Sequence, residues 1–277
     1  MYKMETKVAV VTGGNRGIGF EIVKGLCAKF DGAVYLTARN EEKGRQAVKK
    51  LEENGLKPSF HVLDVTIEES VQKFAEYIST HHTGIDVLVN NAGILDFDKP
   101  FSCYDDAKKL IDTNFFSLLT ISKILYPILK NDARIINISS DWGLLSNIRK
   151  QVWLDTLNKD DLTLDEILQF VNEFLEAAKS GKNSFMTFAG PYGDYKVSKV
   201  AMSALTFVQQ REFREQGKDV AINCVHPGFV KTDMTMEMGD FTPERGARGP
   251  LYLALEAPQS LKGTFVWHDG HQVNWDD

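Results

Sequence analysis

Glycines spaced G-x3-G-x-G follow the first apolar run of this chain, a pattern suited to holding a phosphate. The run is Val8–Val11, and Gly13, Gly14, Gly17 and Gly19 come directly after it. Phe20, Ile22, Val23 and Leu26 then open an apolar helical stripe. A buried strand that enters a helix through glycines leaves backbone N–H groups free at a positive helix terminus, where a pyrophosphate is favoured. Asn15, Arg16 and Ile18 complete the turn, and Arg16 adds a fixed positive charge. A glycine turn without a ligand is the competing reading; the place of this one, at the first strand-to-helix junction, favours a nucleotide.

A second set of residues suits proton transfer. Tyr195 and Lys199 are four apart in Tyr195–Lys196–Val197–Ser198–Lys199, so a helix puts both on one face. A tyrosine of ordinary pKa, about 10, is almost wholly protonated at neutral pH. A neighbouring ammonium and a cationic nicotinamide favour the phenolate and would lower that value by roughly two to three, making Tyr195 a proton donor near pH 7. Ser139 and Ser140 end a strand-like run upstream, and a hydroxyl there would hold a substrate oxygen. The spacing alone selects nothing, since Tyr104–Lys108, Tyr126–Lys130 and Tyr192–Lys196 share it. Only Tyr195–Lys199 opens into an uninterrupted run of small and apolar residues, Val200–Ala204, after the serine-ended strand.

These groups need a scaffold, and the chain alternates in a way that supplies one. Strands are expected at Val8–Val11, Ala33–Ala38, Ser59–Val65, Asp86–Asn90, Ala133–Ser139, Val220–Val225 and Thr264–Trp267. Helices are expected after the glycines, at Glu41–Gly55, Ile67–His82, Cys103–Lys130 (ended or kinked near Tyr126 by Pro127) and Asp194–Gln216. Such alternation implies right-handed crossovers and one single-domain, Rossmann-type, doubly wound parallel α/β sheet of about seven strands, residues 1–277. A helical insertion at about 145–190 interrupts it before the Tyr195 helix. Within it Leu164, Ile167, Leu168, Val171, Phe174, Leu175 and Ala178 form an apolar stripe over Asp161–Ser180. Thr163 and Glu166 form a capping-box pair, and Gly181 is a stop. This stripe suits either the core or a subunit contact.

The end of the second strand should meet the adenosine ribose. An NAD binder places an acid there, but this chain has Ala38–Arg39–Asn40. Arg39 and Arg16 would flank a 2′-phosphate, which points to NADPH/NADP+. Asp64, before Val65, would hydrogen-bond the adenine amino group or cap the next helix.

A net charge of −6 argues against nucleic-acid and anionic-membrane partners. Cys27, Cys103 and Cys224 are widely spaced, and neither they nor the six histidines have metal-ligand spacing. No metal is expected, and reduced thiols suit a soluble cytoplasmic protein with no membrane span.

Taken together, these motifs resemble those of the short-chain dehydrogenase/reductases. Thr12–Gly13–x3–Gly17–x–Gly19 is similar to their cofactor loop, and Asn90–Asn91–Ala92–Gly93 to their fourth-strand motif. Asn114, Ser140, Tyr195 and Lys199 match the catalytic set, in which the asparagine holds a water of the proton relay. Pro227, Gly228, Val230 and Thr232 match the segment at the nicotinamide end. The insertion and His226–Met234 resemble the carbonyl reductase branch, which is NADPH-dependent, cytosolic and typically monomeric. His226 stands where some members have a cysteine, and Phe229 where a tryptophan is also found.

The resemblance implies reduction of a small-molecule carbonyl, its oxygen held by Ser140 and Tyr195, with Lys199 orienting the nicotinamide ribose. An oxidative alcohol or steroid dehydrogenase, or a non-catalytic NADPH sensor, are the alternatives on this fold. Trp142, Phe229 and Met234, with Trp153, Met236, Met238 and Phe241, would wall a substrate cleft that extends over a loop at about 229–248. A helical stripe folded back on its own chain would cover the pairing surface and leave a monomer.

Overall fold

The computed structural model describes residues 6–180 and 188–276. One sheet of eight strands organises them, in the order β3-β2-β1-β4-β5-β6-β7-β8. These strands are β1 (Lys7–Val11), β2 (Gly32–Ala38), β3 (Ser59–Val62), β4 (Ile85–Asn90), β5 (Leu129–Ile138), β6 (Ala221–Val225), β7 (Phe265–Val266) and β8 (Gln272–Val273). All neighbours pair parallel except β8, which runs antiparallel to β7. The eighth strand has no counterpart in the sequence reading, because two residues carry no periodicity; the pairing of Phe265 with Val273 makes it.

The longer helices among the described residues include α1 (Gly17–Lys29), α2 (Glu41–Glu52), α3 (Glu68–His81), α4 (Tyr104–Ile111), α5 (Ser117–Leu125), α6 (Gln151–Leu157), α7 (Leu164–Lys179) and α8 (Gly193–Glu215), with the short α9 (Pro243–Gly246) and α10 (Arg248–Leu255) following β6. Alternate residues of β1 face opposite layers, as a strand's period of two requires. Ala9 and Val11 join the core under α1 and α10, and Val8 and Val10 the core under α3 and α5.

The expected helix over Cys103–Lys130 is broken. A π-turn, Asp112–Phe116, separates α4 from α5, and Tyr126–Ile128 is a tight 3-10 turn containing Pro127. Strand β5 therefore starts at Leu129, inside the expected helix, while β3 stops three residues short of Val65.

The insertion folds back on its own chain. Thr163 and Glu166 cap α7 reciprocally, as their spacing indicates, and Gly181 lies outside the described residues. Its buried face comprises Ile167, Phe170, Val171, Phe174, Leu175 and Ala178, within one core shared with α4 and α8. Phe170 is a core residue outside the expected stripe. Trp153, expected in the substrate cleft, is instead buried edge-on against Phe170, with ring centroids 5.5 Å apart. Among the described residues, no helix is long and apolar enough to cross a membrane.

Candidate active site

The carboxyl ends of β1, β4, β5 and β6 meet in one crevice. At β1, the Thr12 hydroxyl accepts from the N–H groups of Asn91 and Ala92 at 3.0 Å each and donates to the Val89 carbonyl. The Asn91 amide donates to the carbonyls of Thr12 (2.9 Å) and Gly13 (3.1 Å). The β1 turn and the Asn91–Gly93 segment are thus one hydrogen-bonded unit. Gly19 is required for that closeness, since a Cβ there would lie 2.4 Å from Asn91 Nδ2 and 2.6 Å from the Gly13 oxygen. Gly13 and Gly17 adopt left-handed φ angles of 63° and 55°. Asn15 and Ile18 are half-buried in the turn, and Gly17 faces Thr232 of the Pro227–Thr232 segment.

Arg16 and Arg39 have different surroundings. Arg16 is exposed and ion-paired with Asp233 across the crevice at 2.6 Å. Arg39, at the end of β2, lines a cleft of about 490 Å³ with Thr66, Lys108, Lys109 and Thr113. Asp64 does not cap α3; its Oδ1 accepts from the Thr66 N–H (2.9 Å) and hydroxyl (2.7 Å), while Ile67 occupies the cap. The Val65 side chain is in the core, so only its backbone is available to a ligand.

Asn114 sits in the π-turn, an irregularity common at functional sites. Its Oδ1 accepts from the Ile94 N–H (2.8 Å), and its Nδ2 donates to the Ile94 carbonyl (2.9 Å) and the Ser198 hydroxyl (3.3 Å). Asn114 therefore joins the segment after β4 to α8, just beside Gly93.

Tyr195 and Lys199 lie in the first turns of α8, both buried, with the Lys199 ammonium 5.5 Å from the Tyr195 ring centroid. The ammonium donates to the Ile138 carbonyl at the end of β5 (2.6 Å). Ser139 faces Ser203 at 3.0 Å, whereas the Ser140 hydroxyl donates to Asp141 Oδ1 (2.7 Å) and accepts from the Trp142 N–H (3.2 Å), with the Trp142 ring edge-on to Tyr195. The direction of the tyrosine shift is opposite to the sequence expectation. Burial holds the Tyr195 pKa above its ordinary value, Asp141 raises it further, and Ser140 opposes them. Burial also pushes the Lys199 ammonium down to about 7, so this lysine is a weaker cation than its type implies.

The mouth of the crevice is aromatic. Trp142 stacks on Tyr192 (5.2 Å) and Phe97 (6.5 Å), meets Tyr195 edge-on (5.8 Å), and Phe97 stacks on Phe229 (6.1 Å). Tyr192 caps α8 at a left-handed φ of 56°, and its hydroxyl donates to the Phe97 carbonyl (2.9 Å). Trp142 and Phe229 are the expected wall residues; Phe97 and Tyr192 are additions with no short-range sequence signal. Met234 is half-buried in the turn Asp233–Thr235, and Met236 and Met238 are exposed. Gly228 turns at φ 89° beneath Phe241, and Val230 pairs with Phe241. Pro227 precedes that turn.

A doubly wound sheet with a glycine turn at β1 and a Tyr–Lys helix beside a serine-ended β5 defines a class of nucleotide-dependent oxidoreductase. The model of the short chain dehydrogenase family matches residues 7–153 and 180–242, and the chain belongs to that family. NADPH carbonyl reductase 1 of Mus musculus is 38% identical over 268 residues, 94% of this chain and 95% of that protein. NADPH carbonyl reductase 3 of Mus musculus is 38% identical over 93% of this chain and 94% of its own length. Both place the chain in the carbonyl reductase branch of the family. Among solved structures, salutaridine reductase from Papaver somniferum superposes with a TM-score of 0.84 at 32% identity, covering 95% of this chain and 99% of its own.

Proposed function

We propose that this protein reduces aldehydes, ketones and quinones to alcohols with NADPH, Tyr195 giving the proton. The observation that carries this reading is the meeting of Tyr195, Lys199 and Asn114 at the serine-ended β5, in the same crevice as the glycine turn. The residues present fit the cofactor. Positive φ at Gly13 and Gly17, and the close approach that only glycine at 19 permits, make a backbone cradle at the start of α1. Arg39 suits a 2′-phosphate, and Arg16 reaches one by exchanging Asp233 for it.

When bound, NADPH supplies the hydride that adds to the carbonyl carbon. Tyr195 releases its hydroxyl proton to the carbonyl oxygen, which Ser140 helps to hold by turning its own hydroxyl proton away from Asp141. Lys199 orients the nicotinamide ribose from a position fixed by the Ile138 carbonyl. Asn114 positions the segment after β4 and anchors the water that returns a proton to the site. Trp142, Phe229 and Phe97 favour bulky aromatic or alicyclic carbonyls, because more apolar area leaves water.

The self-covered face of α7 supports a monomer, and three free thiols support a cytoplasmic location. Consumption of NADPH and of NADH with a panel of aldehydes, ketones and quinones tests the reading. Turnover with NADPH and at least tenfold lower efficiency with NADH is the expected result. No carbonyl-dependent oxidation of either cofactor would refute it.

A further inference from the structure

Strand β8 brings Trp275 against the turn that follows β5. It pairs antiparallel with β7, and the segment after it lays Trp275 edge-on to Phe207 of α8, with ring centroids 5.2 Å apart. Trp275 is buried, and its indole N–H donates to the Gly143 carbonyl at 2.7 Å, across 132 positions of chain. Its own carbonyl accepts from the Leu145 N–H at 2.9 Å. Gly143 closes the turn Asp141–Gly143, which starts from Ser140. Two hydrogen bonds thus tie one residue beyond β8 to the turn and to the residue two places after it.

The rest of the turn is held from within and from α8. The Ser140 carbonyl accepts from the Gly143 N–H (2.8 Å), and the Asp141 carbonyl from the Leu144 N–H (3.2 Å) and the Asn147 amide (2.9 Å). Against α8 there is no spare room: a Cβ on Gly143 would lie 2.4 Å from Ser139 Oγ, 2.9 Å from Ser203 Oγ and 3.1 Å from the Lys199 carbonyl. The Gly143 carbonyl takes its hydrogen bond from outside the turn, from Trp275. Ser140 and Trp142 ride on this turn, and the Trp142 ring meets Tyr195 edge-on at 5.8 Å and Tyr192 at 5.2 Å. Trp275 itself lines a cleft of about 680 Å³ with Phe207, Arg211 and Lys262, none of them a crevice residue.

We propose that Trp275 is a positioning residue of the reaction: its indole N–H, held on the Gly143 carbonyl, fixes the turn that presents Ser140 and Trp142 to a carbonyl substrate. It touches no reacting atom and exchanges no proton. Without its donor the buried Gly143 carbonyl is left unpaired, which is costly, and the turn gains by moving toward another donor or water. A shift of about 1 Å at Ser140 acts on the transition state, where the approach of the reacting atoms is set. The glycine cradle is tied to the Asn91–Ala92 segment after β4 instead, so cofactor binding does not depend on the clamp. This inference rests on the carbonyl-reduction reading.

Trp275→Phe keeps a ring beside Phe207 and the backbone acceptor for Leu145, and removes the indole donor. The variant should fold, with a Tm about 2–4 °C below the parent. With active protein counted by NADPH fluorescence titration, kcat should fall about tenfold while NADPH affinity stays within about twofold of the parent. KM for aromatic ketones should rise about threefold as the Trp142 wall shifts. Phe207→Leu is the control for a merely structural role, since it loses the ring contact and keeps the donor; a comparable Tm loss should leave kcat near that of the parent. Nitrogen NMR of the labelled whole chain supplies a readout without turnover. The four indole N–H signals are assigned by replacing each tryptophan in turn with Phe. The Trp142 signal should move in Trp275→Phe and stay in place in Phe207→Leu. A parental kcat in Trp275→Phe overturns the proposal, as does an unmoved Trp142 signal, and so does a Phe207→Leu protein that reproduces both changes. If the parent reduced no carbonyl, the reaction would be refuted, and the Trp142 signal would still decide whether Trp275 holds the turn.

Discussion

The two halves of the crevice are built by opposite means. Around β1 the surface is backbone: glycines, the carbonyls tied by Asn91, and the first turn of α1. At the mouth it is side chain: Phe97, Trp142, Tyr192 and Phe229, rings from four separate segments stacked on one another. A backbone cradle has no room for an added atom, whereas a ring stack can exchange one ring for another at small cost. Changes in the first half should decide whether a cofactor binds at all, and changes in the second which substrate is taken. The proposed proton-handling group, Tyr195 with Lys199, lies at their junction and should outweigh both.

Tyr195→Phe is the largest expected effect. Turnover should fall on the order of 10³-fold with NADPH affinity retained, as measured by NADPH consumption and by fluorescence titration. Tyr192→Phe should stay within about tenfold of the parent, since its hydroxyl holds only the Phe97 carbonyl. The reverse ranking would put the proton donor one helical turn away.

Gly19→Ala should weaken NADPH binding by about a hundredfold, because the Gly13 oxygen 2.6 Å from the new carbon belongs to backbone that cannot step aside. Calorimetric titration reads it; near-parental affinity would mean the cradle is soft. Arg39→Asp should come next, lowering the preference for NADPH over NADH by about tenfold or more in kcat/KM. Preference unchanged in that variant would assign the 2′-phosphate to Arg16. The smallest effect is expected of Phe97→Ala. A ring that only stacks should alter KM for aromatic ketones by about three- to fivefold and leave NADPH affinity as it was. A large loss of NADPH affinity there would erase the distinction between the halves.

Much of the first half was legible because its determinants are close in sequence. The Val8–Val11 run, the glycines and the α1 stripe form a contiguous stretch of fewer than thirty residues, and strand, turn and helix follow from local pattern. The capping box of α7 and the shared face of Tyr195 and Lys199 are likewise short-range facts. The mouth was only half legible. Trp142 and Phe229 flank recognisable motifs, but Phe97 lies in a loop and enters the stack through a hydrogen bond from Tyr192, 95 positions away.

The sequence by itself determined the alternation of strands β1 to β6 with helices, the glycine stretch and the residue types beside Tyr195, because backbone pattern and helical spacing act over a few residues. Tertiary structure alone decided the charge state of Lys199 and the partners of other groups at the site. Lys199 is weakened by burial, Arg16 is claimed by Asp233 from 217 positions away, and the Gly143 carbonyl is held by Trp275 from 132. Desolvation and ion pairing depend on what the fold packs around a side chain, and no local stretch of the chain encodes that.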